Sequence, residues 1–369
     1  MRLSLLGSAV LGLSLIGSQV QAKEVAERHH ASVLMYHHIS ADTPRSTSTD
    51  AETFTRHLDL LNELGFQVWS LPQVAEHLKA NKPLPDKVAV LTFDDAYISV
   101  YKTAMPIMVA RNLPFTIFVN ATPINQGNRQ YMTWEQLREA REKGATLGNH
   151  SLHHEHMIRK QAGESEAQWL DRMRAEITGN QQQLEKHLGS LTSAKSAPKL
   201  FAYPYGEFNP ALETLLADLG YIAFGQQSGA VSGFTSLQGA PRYAANGIYS
   251  NPKTLETKLM ALPFPVRSET PRSGVLAADD RSPVLTLTLE KGDYRLDQLR
   301  CYGPGGELLQ VAKESQADGA VQLQVSTKKT LPAGRHRYNC TAPHRSEPRW
   351  FWFSRQWMLP KPDGSWYKG

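Results

Sequence analysis

Val88-Ala89-Val90-Leu91-Thr92-Phe93-Asp94-Asp95 is the stretch on which the reading of this chain turns. Six apolar or β-branched residues read as a strand, and two adjacent carboxylates stand where that strand should end. In parallel α/β folds, functional residues gather at the carboxyl ends of strands. Adjacent carboxylates repel there unless a cation or a proton is shared between them. On this stretch alone, a solvated Asp-Asp pair at a turn remains the alternative.

Working outward, short β-branched runs alternate with longer amphipathic stretches from residue 30 to about 262. Strand candidates are 32–36, 88–93, 115–120, 146–148, 200–203 and 222–224. A helix over 51–64 opens after Thr49-Asp50, a cap, and stops at Gly65. Thr133 and Gln136 have capping-box spacing at the start of another, and 168–188 and 210–219 read the same way. Strands separated by helices of this length predict βαβ units and a mostly parallel sheet or barrel, an α/β fold.

After Pro263 the pattern changes. Residues 264–283 hold prolines with Ser, Arg and Asp and few large apolar residues, and read as a linker. From 284 onward, Val284-Leu285-Thr286-Leu287-Thr288-Leu289 alternates with period two, and further runs at 321–325, 335–340 and 350–353 are separated by turn signals such as Gly303-Pro304-Gly305-Gly306. This predicts a small all-β domain over 284–369, of sandwich type. Two cysteines, Cys301 and Cys340, both lie in it. In an oxidising compartment such a pair reads as a disulfide, stabilising by roughly 3–4 kcal/mol; two buried thiols are the alternative.

The first 22 residues read as a signal peptide. Met1-Arg2 gives a short positive start, residues 3–16 are apolar or small, and Val20-Gln21-Ala22 is an A-x-A-like cleavage site. The expectation is an exported, periplasmic or secreted chain, cleaved after Ala22 and beginning at Lys23. No stretch has the ~20 apolar residues of a transmembrane span. The 369 residues are 41% hydrophobic and 20% charged, which excludes a disordered chain. A formal charge of +5 without a Lys/Arg-rich run gives no reason to expect a nucleic-acid partner. The basic excess lies in the β-domain.

Two further stretches carry chemistry. In Gly148-Asn149-His150-Ser151-Leu152-His153-His154-Glu155-His156, four histidines fall within seven residues. His150 and His154 are four apart, which would put both rings on one side of a helical turn, and a carboxylate from another strand end would complete three metal ligands. A solvated His-rich loop is the alternative. In Phe201-Ala202-Tyr203-Pro204-Tyr205-Gly206, Pro and Gly after a strand fix a turn that can aim an N–H at a developing oxyanion.

In this order, the three stretches resemble the polysaccharide deacetylases of carbohydrate esterase family 4, over roughly residues 30–262. The version here looks most like exported deacetylases of poly-β-1,6-N-acetylglucosamine, as Leu34-Met35-Tyr36-His37-His38-Ile39 and Phe224-Gly225-Gln226-Gln227-Ser228-Gly229-Ala230 also suggest. The resemblance implies a distorted (β/α) barrel. It also implies that Asp95, His150 and His154 hold a divalent metal, zinc by default for this ligand set. Asp94 would be the general base, and the Tyr205 backbone N–H would stabilise the oxyanion. The substrate would be an N-acetylated polysaccharide, and the products acetate and a free amine. Chitin oligomers, peptidoglycan or a non-catalytic sugar-binding role are the rival readings.

Two departures from the family pattern stand out. Where typical members begin the third motif with Arg, this chain has Ala202; Arg242, in Pro241-Arg242-Tyr243, is the candidate replacement, a surface Arg the alternative. The late Leu-x-His that supplies the general acid is missing. His37 or His38 is the candidate donor, a structural or substrate-contacting histidine the alternative. His153 and His156 read as loop or supporting residues, and His29 and His30 as solvent-facing. The aromatic end, with Trp350, Phe351, Trp352, Phe353, Trp357, Trp366 and Tyr367, reads as packing of the β-domain or its junction, with a sugar platform as the alternative.

Overall fold

Residues 30–192 and 197–368 are described by the structure, a computed structural model. The expected signal peptide, its cleavage site and His29 lie outside them.

The first domain is built on one curled, mostly parallel sheet. Its strands are β1 (His30–Tyr36), β2 (Gln67–Val68), β3 (Val88–Phe93), β4 (Phe115–Val119), β5 (Ala145–Asn149), β6 (Lys199–Ala202), β7 (Tyr221–Phe224), β8 (Val231–Ser232) and β9 (Tyr243–Ala244). β1, β3, β4, β5, β6 and β7 lie side by side in that order. β8 and β9 pair with β1, and β2 pairs with β3. Ala240 bridges to Phe224 of β7 while Tyr243 and Ala244 pair with Leu34 and Met35 of β1, so this short segment draws the two ends of the sheet together. The result is the expected distorted (β/α) barrel. β1 and β3 are buried along their whole length, which is why the run at 88–93 does not alternate; its one polar side chain, Thr92, donates to the Leu34 carbonyl at 2.7 Å.

Helices α1 (Ala51–Glu63), α2 (Leu71–Lys79), α3 (Met105–Ala110), α4 (Ala121–Asn125), α5 (Trp134–Glu142), α6 (Glu166–Leu188), α7 (Pro210–Asp218) and α8 (Pro252–Leu259) fill the connections. Their starts follow local chemistry. Asp50 accepts from the Thr53 N–H at 2.8 Å, and Thr133 with Gln136 forms the expected capping box. α6, the longest, opens on a second such box, Ser165 with Gln168, and buries Trp169, Met173, Ile177 and Leu184.

The C-terminal domain is a β-sandwich of two four-stranded sheets. One contains β10 (Ala261–Pro263), β17 (Trp350–Leu359), β16 (Gly334–Pro343) and β13 (Arg300–Tyr302). The other contains β11 (Val266–Thr270), β12 (Val284–Leu289), β15 (Val321–Ser326) and β14 (Gln310–Ser315). Leu285, Leu287 and Leu289 point inward against Leu323 and Val325, as the period-two pattern required. Cys301 and Cys340 face each other across β13 and β16 and are disulfide-bonded.

Two expectations shift here. Residues 266–270, expected in the linker, form β11, and β10 pairs in parallel with β17, so the chain enters the sandwich directly as it leaves α8. His30, expected at the surface, is 1% exposed. Its Nε2 lies 3.2 Å from the Arg349 guanidinium, which also ion-pairs with Asp86 at 3.0 Å. This contact ties the sandwich to the amino-terminal ends of β1 and β3. Of the C-terminal aromatics, Phe351 and Trp357 fill the sandwich core, Trp352 packs on the barrel core, and Trp350 is exposed.

Candidate active site

Strand register brings the candidate residues together. Tyr36 pairs with Phe93, and the Asp94 N–H donates to the Tyr36 carbonyl at 2.9 Å, so His37 and Asp94 leave adjacent strands at the same level. Val119 pairs with Asn149, Asn149 with Phe201, and Ala202 with Phe224, which puts His150 and the Tyr205 turn at that level too. Asp95 and Ala96 both adopt left-handed backbone, φ 72° and 57°, which turns the chain sharply off the strand end. Such conformations in non-glycine residues are uphill and are held by their surroundings.

Asp95, His150 and His154 each direct one donor atom into a common cluster, all within 4.8 Å of one another. The Asp95 Oδ1 lies 3.4 Å from His150 Nε2 and 3.1 Å from His154 Nε2. The expected helical turn is absent. Residues 150–156 are an irregular loop, and left-handed Ser151 (φ 62°) and His154 (φ 56°) swing the second ring back onto the first. The two rings thus converge through the loop conformation and not through helical spacing. Asn149 anchors the loop: its Oδ1 accepts from the Ser151 N–H at 3.0 Å and from Asn180 on α6 at 2.8 Å. Gly148 is required beside it, because a Cβ there would stand 2.6 Å from the Phe118 ring.

The donor chemistry fits a cation. His150 Nδ1 lies 2.7 Å from the Ala202 carbonyl, which can only accept, so Nδ1 carries the proton and Nε2 presents a lone pair to the cluster. Burial pushes His154 down to about 4, leaving it neutral. Burial opposes the charge on Asp95, yet the contact with the His150 ring and the nearby His154 ring hold its carboxyl well below the usual range. An imidazole lone pair, a second neutral imidazole and an anionic oxygen converging on one point make a donor set suited to a positive ion.

Asp94 sits beside this cluster, fully buried, and Arg242 answers it. The guanidinium donates to both carboxylate oxygens, at 2.6 and 2.8 Å, with its Nε on the Gly225 carbonyl at 2.9 Å and its face 5.4 Å from the Phe118 ring. Arg242 is itself 0% exposed, so it is no surface residue. Burial works against the Asp94 charge, and Arg242 overcomes it, holding the carboxyl below its ordinary value. His37 Nε2 stands 4.0 Å from Asp94 Oδ2, and its Nδ1 is buried with no hydrogen-bond partner among the described residues. His38 instead stacks on Tyr97 at 3.6 Å, and burial, with the charge of His37, pushes it down to about 4.

The third stretch forms the turn that was expected. Tyr205 has φ 58° and Gly206 φ 69°, and a Cβ on Gly206 would stand 2.5 Å from Gln226. The Tyr205 ring meets His154 edge-on at 4.7 Å and lies flat on His156 at 3.7 Å. His153 pairs with Glu176 and His156 with Glu207, so both serve the loop and not the cluster.

Residues 81–224, which hold all three stretches, match the family model described as polysaccharide deacetylase. That segment is similar to the polysaccharide deacetylases. The chain is 29% identical over 230 residues to the poly-β-1,6-N-acetyl-D-glucosamine N-deacetylase of Escherichia coli K12, covering 53% of this chain and 33% of that protein. The chain spans about a third of the length of this curated relative. Among solved structures, the Streptococcus pyogenes deacetylase PplD aligns with a TM-score of 0.54 at 23% identity, over 62% of this chain and 98% of that one. IcaB from Ammonifex degensii aligns at 0.53 and 23%, over 63% and 98%. Both share the fold of the first domain.

Residues that sequence reasoning passed over also line the site. Tyr97 and Tyr131, 5.0 Å apart, stand beside Asp95, whose charge raises both phenols further after burial has done most of that work. Arg335 and Tyr367, from the sandwich side, reach the Tyr205 turn. No local signal marks these two, because nothing nearby in sequence pairs with them. Among the described residues, no helix is long and apolar enough to cross a membrane.

Proposed function

We propose that this chain is a metal-dependent hydrolase that removes N-acetyl groups from an N-acetylglucosamine polysaccharide outside the cytoplasm, with a β-1,6-linked polymer as substrate. The observation that carries the reading is the paired arrangement at the end of β3: Asp95 in a cluster with two imidazoles, and Asp94 beside it, clamped by a buried arginine. A sugar-binding protein has no need of that second carboxylate. The barrel domain, taken as beginning at 23 after a cleaved leader and running to where β10 enters the sandwich, holds the chemistry, and the sandwich is accessory to it.

Asp95, His150 and His154 are the residues assigned to the cation, with zinc the favoured ion. When bound, such an ion supplies Lewis acidity to the acetyl group and to water. Asp94 accepts the proton of the attacking water. Arg242 fixes the orientation of the carboxylate and keeps it ionised, the task the family pattern gives to an arginine at the position of Ala202. The Tyr205 backbone N–H faces the oxyanion. The leaving amine needs a proton, and His37 is assigned that role over His38: its ring borders Asp94, whereas His38 is buried against Tyr97 and neutral. Products are acetate and a glucosamine residue, so the polymer gains positive charge.

The test is acetate release from β-1,6- and β-1,4-linked N-acetylglucosamine polymers, with chelator and with added zinc. Release from the β-1,6 polymer that chelator abolishes and zinc restores supports the reading. Preference for the β-1,4 polymer moves the substrate to chitin-like chains. No release from either, by protein that carries metal, overturns it.

A further inference from the structure

The Tyr205 turn is not held by the barrel alone. Arg335, at the start of β16, donates from its Nη1 to the Tyr205 carbonyl at 2.9 Å, with its guanidinium 5.8 Å from the Tyr205 ring. Tyr367, beyond β17, donates from its hydroxyl to Glu207 Oε1 at 2.8 Å. Glu207 is fully buried two residues after Tyr205, and its other oxygen takes the His156 ring at 2.8 Å. His156 in turn lies flat on Tyr205. Trp366 and Tyr367 are themselves seated under Arg159, 5.3 and 4.9 Å from its guanidinium.

We infer that Arg335 and Tyr367 are positioning residues for the Tyr205 turn, so that the C-terminal sandwich completes the deacetylase site. Tyr205 holds an uphill left-handed conformation, which persists only where its surroundings over-determine it. Arg335 on its carbonyl and His156 on its ring do so, with Glu207 holding the His156 ring in place. Glu207 needs its partners, since a carboxylate without them is strongly disfavoured at full burial. Among the described residues, its Oε1 has only Tyr367 at hydrogen-bond distance, with Arg335 Nε next at 3.8 Å. Both C-terminal residues thus act on the backbone whose N–H is assigned to the oxyanion, and this role rests on the function proposed above. The alternative, that they merely attach one domain to the other, has an internal control. Arg349 ties the sandwich to Asp86 and His30 at the opposite, amino-terminal end of the strands.

The experiment compares full-length Tyr367→Phe, Arg335→Met, Arg335→Lys and Arg349→Met with the native chain. Three readouts are taken: kcat and KM for acetate release, bound metal, and hydrogen exchange of residues 203–208. The Gly206 and Glu207 amides donate within the turn at 2.9 and 3.3 Å and report its order. Tyr367→Phe and Arg335→Met should lower kcat by about tenfold or more, with KM within about twofold and metal unchanged, because misplacing an oxyanion donor is felt mainly at the transition state. Residues 203–208 should exchange faster in both. Arg335→Lys, still a donor, should recover part of the loss. Arg349→Met should lower the melting temperature and leave kcat and this exchange alone. Unchanged exchange in Tyr367→Phe, or an Arg349→Met that behaves like the other two, overturns the positioning role. A native chain that releases no acetate overturns the function instead, and the exchange data still decide whether the two residues order the turn.

Discussion

The Asp94–Arg242 pair allows the sharpest test of how the centre is built. Both side chains are 0% exposed, and the guanidinium meets both carboxylate oxygens in a fork geometry at 2.6 and 2.8 Å. Replacing Arg242 with Met keeps much of the volume above Phe118 but strands a carboxylate away from water. Breaking a buried pair from one side costs about 3–5 kcal/mol, and that is the loss expected for Arg242→Met. Asp94→Asn should cost less, because Arg242 keeps the Gly225 carbonyl at 2.9 Å and the Thr92 hydroxyl at 3.3 Å. With both replaced, no buried charge is left unpaired, so the double variant should recover about 1–3 kcal/mol relative to the sum of the singles. The assay is urea unfolding of the four proteins, scored by midpoint at a common slope. Single losses under about 1 kcal/mol that simply add would falsify the claim that each charge depends on the other. Arg242→Lys is a companion test. One ammonium cannot reproduce the fork, so turnover should stay well below native even where the fold recovers.

Three further outcomes follow from the same geometry. Zinc should raise the melting temperature of the native chain and not that of Asp95→Ala or His154→Ala; at 100 times the dissociation constant the gain is about 2.7 kcal/mol, and equal shifts in all three would place the ion elsewhere. Cys301→Ser/Cys340→Ser opens a loop closed across 39 residues of sequence separation and should destabilise the chain by roughly 3–4 kcal/mol, read as a lower unfolding midpoint that added reductant does not lower further. Lys258 gives a pH signature. Burial, with some help from Arg337, pushes its ammonium down to about 7, while the unfolded chain keeps that proton to about pH 10.4. The unfolded state therefore binds more protons between those values, and native stability should rise with pH through that window. Lys258→Met should be the more stable protein at pH 6, by an amount of order a few kcal/mol less the lost bond to the Ala244 carbonyl, and should lose that advantage by pH 10. A difference that does not vary with pH refutes this account.

The parts of the fold legible in the sequence are those whose cause is local. A strand buried on both faces must be apolar or satisfy its polar groups within the fold, and the run at 88–93 is apolar but for Thr92, which bonds the Leu34 carbonyl; a helix start needs a side-chain acceptor, and Asp50 and Thr133 supply it. Leu285, Leu287 and Leu289 alternate because one face of β12 meets the core. β8, β9 and β14 were not legible for the opposite reason. The first two are only two residues long and owe their existence to β1, while β14 is mostly polar, with Val311 alone packed on the sandwich core, and is specified by its pairing with β15. His150 and His154 were found by spacing, but the loop conformation that joins them depends on Asn149, Asn180 and left-handed residues that no helical pattern describes.

Arg242 shows where the boundary lies. The missing arginine at Ala202 was visible as a departure, and Arg242 was nameable as its replacement, but only as one of two readings, because the two positions share no element. The structure explains how the exchange is accommodated. Ala202 is fully buried in the cluster that contains Phe118 and Phe224, and its carbonyl orients His150. The face of Phe118 is already covered by the Arg242 guanidinium arriving from the β9 side. An additional arginine at 202 would bring a second cation into the same dry space with only one carboxylate to meet it, which the low dielectric strongly disfavours. The small residue at 202 and the buried arginine at 242 are therefore one feature. Restoring the family's arginine by Ala202→Arg should damage the site unless Arg242 is removed with it.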